Sequence, residues 1–299
     1  MQYIEAKNIV TKNQNQYWFG TDYNMNIYRG CSHGCIYCDS LSDCYRNTDF
    51  ETIKAKARAI EIIRANLRSK QLKGVIATGS MSDPYNICEK ELCLTKQALR
   101  VVDENRFGIA IATKSTLITR DIDELKSIAK HSPIICKLTI TTYDDALCRK
   151  IEPSVAPTSK RFETIEQLSK NGIYCGVLLM PVLPFINDTE QNALSILRKA
   201  KDCGAKFVYP FFGMTLRDSQ REHYYNKLDE HFPTLKDRYI ATFGSKYNCS
   251  SPIANRLYEV FFAEANKMKM LCSMTDIIKD YKAGYKWNNE PKSHQQTLF

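Results

Sequence analysis

From residue 51 to residue 211 the apolar positions keep two alternating rhythms. Ile53, Ala57, Ile60, Ile63 and Leu67 recur at helical intervals with basic residues between them, which predicts a helix over 51–70. Gly74-Val75-Ile76-Ala77-Thr78-Gly79 is instead a short apolar run closed by glycines, the signature of a buried strand. The alternation continues with a helix over 89–104, a strand over Gly108–Thr113, a helix near 121–130 and a strand over Ile134–Thr141. A helix near 159–171 is stopped by Asn171-Gly172. Strand Tyr174–Met180, helix 188–201 and strand Lys206–Phe211 complete the series, and Met25-Asn26-Ile27-Tyr28 reads as a short strand upstream of it.

Repeated β–α units with short buried strands predict an α/β fold with a parallel sheet and crossover helices. Six such units in 299 residues fit a partial (β/α)6 TIM-like barrel better than a closed eight-unit one. The chain divides into an N-terminal segment (1–20), the partial barrel (21–214), a C-terminal helical extension (215–282) and a polar tail (283–299). An aromatic stripe at Tyr224, Tyr225, Tyr239, Tyr258, Phe261 and Phe262 reads as core of the extension. Barrels of this kind place their chemistry at the C-terminal ends of the strands. Thr78–Tyr85, Thr113–Ser115, the threonines at 139–142 and Met180–Pro184 all fall there.

Composition adds a compartment and a partner class. Apolar residues make up 43% and charged residues 25%, as in ordinary globular domains. No stretch reads as a signal peptide or a membrane span, so a cytoplasmic protein with no membrane association is expected. The 12 cysteines suit a reducing compartment, where thiols bind metal or sit buried. The net charge of +9 favours phosphate-bearing partners, DNA among them.

The chemistry is concentrated in Tyr28-Arg29-Gly30-Cys31-Ser32-His33-Gly34-Cys35-Ile36-Tyr37-Cys38. Cys31, Cys35 and Cys38 supply three thiolates from one Gly-punctuated loop, one short of the four that normally hold an iron–sulfur cluster. Three ligands leave one iron open to an exogenous group. Zinc is the competing metal, but it wants four tetrahedral ligands, and His33 would have to double back inside the loop to complete the set. Elsewhere Ser80, Ser82 and Asp83 follow a strand, and Lys114, Thr139 and Thr141 follow or end others. Taken alone, Ser, Asp and Pro there are ordinary turn chemistry.

The Cys-x3-Cys-x2-Cys spacing, with aromatic Tyr37 before its last cysteine, resembles the signature of the radical S-adenosylmethionine enzymes. The chain is further similar to their spore photoproduct lyase-related branch. That likeness rests on Asn26–Cys35, Ser82-Asp83-Pro84-Tyr85 with Glu89, Thr113-Lys114-Ser115 and Thr139–Thr142. It continues through Glu152-Pro153 with Arg161 and Met180-Pro181 to Asn187-Asp188. The resemblance implies a [4Fe-4S] cluster on Cys31, Cys35 and Cys38, with S-adenosylmethionine chelating the open iron. It also implies an external one-electron reductant of flavodoxin or ferredoxin type. Ser82, Lys114 and Thr139 match residues that contact the cofactor's methionyl end, and Tyr37, Ser80 and Asp83 join them as candidate cofactor-binding residues. The activity implied is cleavage of S-adenosylmethionine to a 5′-deoxyadenosyl radical that abstracts hydrogen from a nucleic acid or nucleotide, as in lyase or DNA-repair chemistry.

Two departures bear on that last step. Ser80 stands where the branch's namesake has its hydrogen-donating cysteine, and Asp39 where it has a second tyrosine. Cys88, Cys93 and Tyr37 are the remaining candidates for a hydrogen donor or relay. The nine cysteines outside the motif (44, 88, 93, 136, 148, 175, 203, 249 and 272) form no Cys-x2-Cys pair, so an auxiliary cluster is not expected, and Cys136 and Cys175 read as core. The other histidines (131, 223, 231 and 294) show no ligand spacing. Gln295-Gln296-Thr297-Leu298-Phe299 resembles the peptide by which bacterial DNA enzymes dock on the sliding clamp. Two other functions compete: the same radical chemistry on a peptide or small metabolite, and a non-enzymatic metal-containing nucleic-acid-binding protein.

Overall fold

The computed structural model describes residues 2–43 and 49–286. Its strands are β1 (Gln2–Ile4), β2 (Val10–Lys12), β3 (Tyr23–Met25), β4 (Tyr28–Arg29), β5 (Lys54–Lys56), β6 (Val75–Thr78), β7 (Gly108–Thr113), β8 (Ile134–Thr139), β9 (Cys175–Leu179), β10 (Phe207–Pro210), β11 (Gly213–Thr215) and β12 (Asn248–Ser250). The helices are α1 (Ala59–Arg68), α2 (Glu89–Leu92), α3 (Leu94–Glu104), α4 (Ile122–Ala129), α5 (Asp145–Ile151), α6 (Thr158–Lys170), α7 (Glu190–Asp202), α8 (Asp218–His231), α9 (Leu235–Phe243), α10 (Ala254–Lys267) and α11 (Met274–Tyr281).

A seven-stranded sheet runs in the order β10-β9-β8-β7-β6-β3-β2. From β3 to β10 every pairing is parallel, and only β2 is antiparallel. Because the six parallel strands lie in chain order without a reversal, each crossover advances in the same direction, the topology of a partial barrel rather than a doubly wound sheet. Side chains alternate across it. Ile109 and Ile111 of β7, and Cys136 and Leu138 of β8, pack outward in the main core with the helices. Val75, Ala110, Ile135, Leu178 and Phe207 converge on the opposite face around Phe19 and α11. Five strands meeting one small cluster require a curved sheet.

Several sequence expectations need correction. The helix over 51–70 is shorter, because Lys54–Lys56 forms strand β5 between β1 and β4, and Arg58 before α1 is left-handed at φ 52°. The strand over Met25–Tyr28 is divided, since β3 joins the large sheet and β4 turns away to β5. The helix over 89–104 breaks at Cys93, left-handed at φ 51°. Helix α5 and strand β12 were not anticipated. Cys136 and Cys175 are fully buried core residues, and so are Tyr224, Tyr239 and Phe261 of the aromatic stripe. Phe262 of that stripe is 40% exposed. Among the described residues no helix is long and apolar enough to cross a membrane. The clamp-like Gln295–Phe299 segment and Cys44 lie outside the described residues.

Candidate functional site

The cysteine loop leaves β4 at Gly30, whose φ is 83°. A Cβ there would meet the Thr52 carbonyl oxygen at 2.3 Å, so this turn demands glycine. Backbone bonds then fix the loop from several sides. Cys31 N donates to Phe50 O at 2.8 Å, Ile36 N to Ile151 O at 3.0 Å and Ser154 N to His33 O at 3.1 Å. Cys31, Cys35 and Cys38 all line one cavity of about 780 Å³ at the C-terminal ends of the strands. Burial pushes all three thiols up, and Cys35 also feels the neighbouring Cys38 and Cys31 sulfurs.

The loops after β6 and β7 complete the floor. Ser82 Oγ donates to the Gly30 carbonyl at 2.5 Å, tying its loop to the cysteine loop. Asp83 Oδ1 accepts from Thr113 Oγ1 at 2.7 Å and from Tyr85 N at 2.8 Å, while Oδ2 accepts from Lys114 N at 2.8 Å. His33 Nδ1 stands 3.6 Å from that same Oδ2. Asp83 therefore braces three loops, and its oxygens are already occupied. The Lys114 ammonium lies 5.6 Å from the centre of the Tyr37 ring. Burial alone would lower the Lys114 pKa, but the Cys35 sulfur and the Glu152 carboxylate raise it above the ordinary lysine value. It is a cation held beside the cysteines.

Beneath the loop, Tyr37 donates its hydroxyl to Glu152, and Glu152 pairs with Arg161. Burial would raise the Glu152 carboxyl, but Arg161, Lys114 and Tyr37 together hold it below the usual carboxylate range. On the far side, Gln220 of α8 donates to Tyr37 O at 3.0 Å, and Ser219 donates to Leu41 O at 3.0 Å.

Of the residues singled out in the sequence, Cys31, Cys35, Tyr37, Cys38, Ser80, Ser82, Asp83 and Lys114 line the cavity. Thr139 does not line it; it ends β8 on the same face as Lys137, and its carbonyl accepts from Arg161. The candidate donors fare differently. Tyr37 lines the cavity but commits its O–H to Glu152. Cys88 packs against the outer core, and Cys93 contacts Arg120 at 3.5 Å, so neither reaches the cavity. The reason is that both flank the short helix α2, beyond the strand end that carries Ser80–Asp83. Sequence reasoning missed His223, Lys227 and His231, which α8 presents to the same cavity at four-residue spacing.

Three thiols on one loop, all lining one cavity, fit the ligand set of a cubane. Among the described residues no three His, Cys, Asp or Glu side chains converge as a mononuclear metal site requires. A cubane instead spreads its thiolate ligands over separate corners, which one loop with cysteines at i, i+4 and i+7 can serve.

The family model of the Radical SAM superfamily matches residues 25–208. Uncharacterised protein Rv2578c of Mycobacterium tuberculosis is 29% identical over 224 residues, covering 73% of this chain and 66% of its own length. The chain thus spans slightly less than two thirds of the mycobacterial relatives it matches. Uncharacterised protein MJ0683 of Methanocaldococcus jannaschii is 30% identical over 219 residues, covering 72% of this chain and 78% of its own. A spore photoproduct lyase structure, solved with a dinucleoside spore photoproduct, superposes with a TM-score of 0.67 over 89% of this chain and 79% of that one, at 10% identity. That likeness is one of fold.

Proposed function

The chain belongs to the radical SAM superfamily, and on that premise we propose that it cleaves S-adenosylmethionine reductively and abstracts hydrogen from a nucleic acid or nucleotide. The superfamily uses a [4Fe-4S] cluster and S-adenosylmethionine. The observation that carries the reading is that Cys31, Cys35, Cys38 and the Lys114 ammonium face one cavity at the strand ends.

In this reading the three cysteines hold the cluster through their thiolates, and their loop is kept in shape by Gly30 and the Asp83 brace. Lys114 offers its charge to the carboxylate of the methionyl end. Ser80 and Ser82 offer hydroxyl oxygens, Asp83 orients the Lys114 backbone, and Thr139 supports the floor from β8. The chemistry the bound groups supply is one-electron cleavage of the sulfonium to methionine and a 5′-deoxyadenosyl radical, which takes a hydrogen atom from substrate. The electron comes from an external flavodoxin- or ferredoxin-type reductant. The protein positions the partners and excludes water, since the difficult step belongs to the cofactor.

Nucleic acid as substrate is supported by the net charge of +9 and by a fold shared with an enzyme bound to a dinucleoside photoproduct. Among the described residues the only thiols lining the cavity are the three cysteines of the motif. A reducing cytoplasm suits the cysteine usage and the cluster alike. The test is anaerobic reconstitution with iron and sulfide, followed by dithionite and S-adenosylmethionine with and without oligonucleotides. A brown protein that forms 5′-deoxyadenosine, faster with nucleic acid, is expected. A colourless protein that leaves the cofactor intact overturns the reading.

A further inference from the structure

One wall of the cavity carries none of the residues assigned above to cluster or cofactor. His223, Lys227 and His231 follow one another at four-residue intervals on α8, and all three line the cavity that the cysteines line. The helix is not free to turn them elsewhere. Tyr224 and Leu228, on its other side, are fully buried against Tyr239 and Phe243 of α9. Gln220 and Ser219 bond the first turn of α8 to the carbonyls of Tyr37 and Leu41, within and just after the cysteine motif. The row is thus registered against the reacting centre.

Its chemistry is that of an anion receptor. A lysine ammonium has donors only, and each imidazole can present an N–H whichever tautomer it adopts. Eight residues of helix carry the row over about 12 Å, more than one phosphate group needs. Lys227 lies 2.7 Å from Glu230 Oε2, and His231 stands 3.4 Å from Oε1 of the same carboxylate. Glu230 itself does not line the cavity, and so exposed a pair contributes little; a phosphate can take its place. Glu51 lines the same cavity and acts on His223 electrostatically, and Asp39 lines it too, so a bound phosphate sits on the row rather than across the whole cavity.

We propose that the His223–Lys227–His231 face of α8 is a phosphate-binding wall that holds the backbone of a nucleic-acid strand across the mouth of the cavity. The inference rests on the nucleic-acid reading of the substrate and assigns residues to it. A strand is favoured over a mononucleotide because the row extends beyond a single phosphate. Contacts of this kind are indifferent to base sequence and sensitive to salt.

The test measures binding of a fluorescent single-stranded oligonucleotide to the reconstituted holoenzyme by anisotropy, between 50 and 200 mM salt, about the range over which phosphate contacts respond strongly. The proteins compared are the native one, Lys227→Gln, the His223→Gln/His231→Gln double variant, and Lys236→Gln. Lys236 pairs with Asp229 at 2.6 Å and does not line the cavity, so it controls for bulk charge. Lys227→Gln is expected to flatten the log–log salt slope by about 0.7–0.9, and the double variant to weaken binding several-fold for every sequence tried. Lys236→Gln should follow the native protein. If the native enzyme binds while all variants bind equally well, the wall is wrong and the nucleic-acid reading stands. If the native enzyme binds no oligonucleotide even at low salt, or binds an acidic peptide of equal charge as tightly, that reading falls and the wall with it.

Discussion

Arg161 Nη2 and Glu152 Oε2 lie 2.5 Å apart beneath the cysteine loop, and neither side chain exposes any surface. The guanidinium also donates to the carbonyls of Thr139 at 2.8 Å and Ala156 at 2.7 Å and to Cys148 Sγ at 3.3 Å. The carboxylate's second oxygen takes the Tyr37 hydroxyl. One ion pair thus connects the end of β8, the start of α6 and the residue between two motif cysteines. Desolvating two charges is costly, so such a pair is retained where both partners are satisfied by further bonds.

Removing one partner should therefore cost far more than removing both. Arg161→Met leaves Glu152 buried without its ion-pair partner, with only the Tyr37 hydroxyl and the Lys114 charge to offset it, and it is expected to lose about 3 kcal/mol of stability in urea unfolding. The Arg161→Met/Glu152→Leu double variant should recover a substantial part of that. Equal losses in the single and double variants would show that packing, not charge, dominates here.

The cysteines divide cleanly into two groups. Cys35→Ala removes one of the loop's three thiolates, and reconstituted protein is expected to lose the brown chromophore and the formation of 5′-deoxyadenosine together. Cys88→Ser and Cys93→Ser, outside the cavity, should keep full iron content. Iron analysis and absorbance after anaerobic reconstitution read both results, and cluster retention in Cys35→Ala would remove that residue from the ligand set.

Lys114 is a cation that acts on both Cys35 and Cys38, so its loss should appear in cofactor binding. Lys114→Met is expected to weaken S-adenosylmethionine binding by about 10-fold or more, the scale of a lost charged hydrogen bond. Lys114→Arg should restore it poorly, because a planar guanidinium does not replace a compact ammonium beside the Tyr37 ring. Equilibrium binding of the cofactor decides, and unchanged affinity in Lys114→Met would move the methionyl end elsewhere.

How far the sequence revealed this arrangement depended on the range of the interactions. Strand β7 coincides with the run Gly108–Thr113 because a buried parallel strand announces itself in its own residues. Ser82, Asp83 and Lys114 were legible for a related reason: they follow strands, and strand ends share one face of the fold. Lys54–Lys56 was not legible as a strand, since its partners lie some fifty residues before it in β1 and some twenty-five before it in β4. The α8 wall escaped because that helix is polar on most of its surface, leaving no apolar rhythm to show which side meets the cavity. Its signal was the His223-x3-Lys227-x3-His231 spacing, which has meaning only once α8 is seen docked on the cysteine loop.

Lys137, on the inner face of β8, supplies a pH-dependent test of the barrel itself. It is 1% exposed, and its ammonium sits 4.4 Å from the centre of the Phe19 ring. Burial brings its pKa down to about 7, against 10.5 for an ordinary lysine. Between those values the unfolded chain binds a proton that the folded chain has released, so this residue makes stability rise with pH. Below pH 7 both states are charged and the penalty is complete. Buried thiols such as Cys136, pushed up by burial, act in the opposite sense as the unfolded chain's thiols begin to ionise towards pH 8.5, so the lysine is isolated by comparing the native chain with a variant that keeps every cysteine. Between pH 7 and 8.5 Lys137 itself should contribute a gain of roughly 1–2 kcal/mol. Urea unfolding of cluster-free protein across that window should show the native chain gaining on Lys137→Met by that amount. Lys137→Met should be more stable at pH 7, and its advantage should shrink as pH rises. Parallel pH profiles for the two proteins would mean that the native lysine finds solvent or an anion and is not held uncharged inside the barrel.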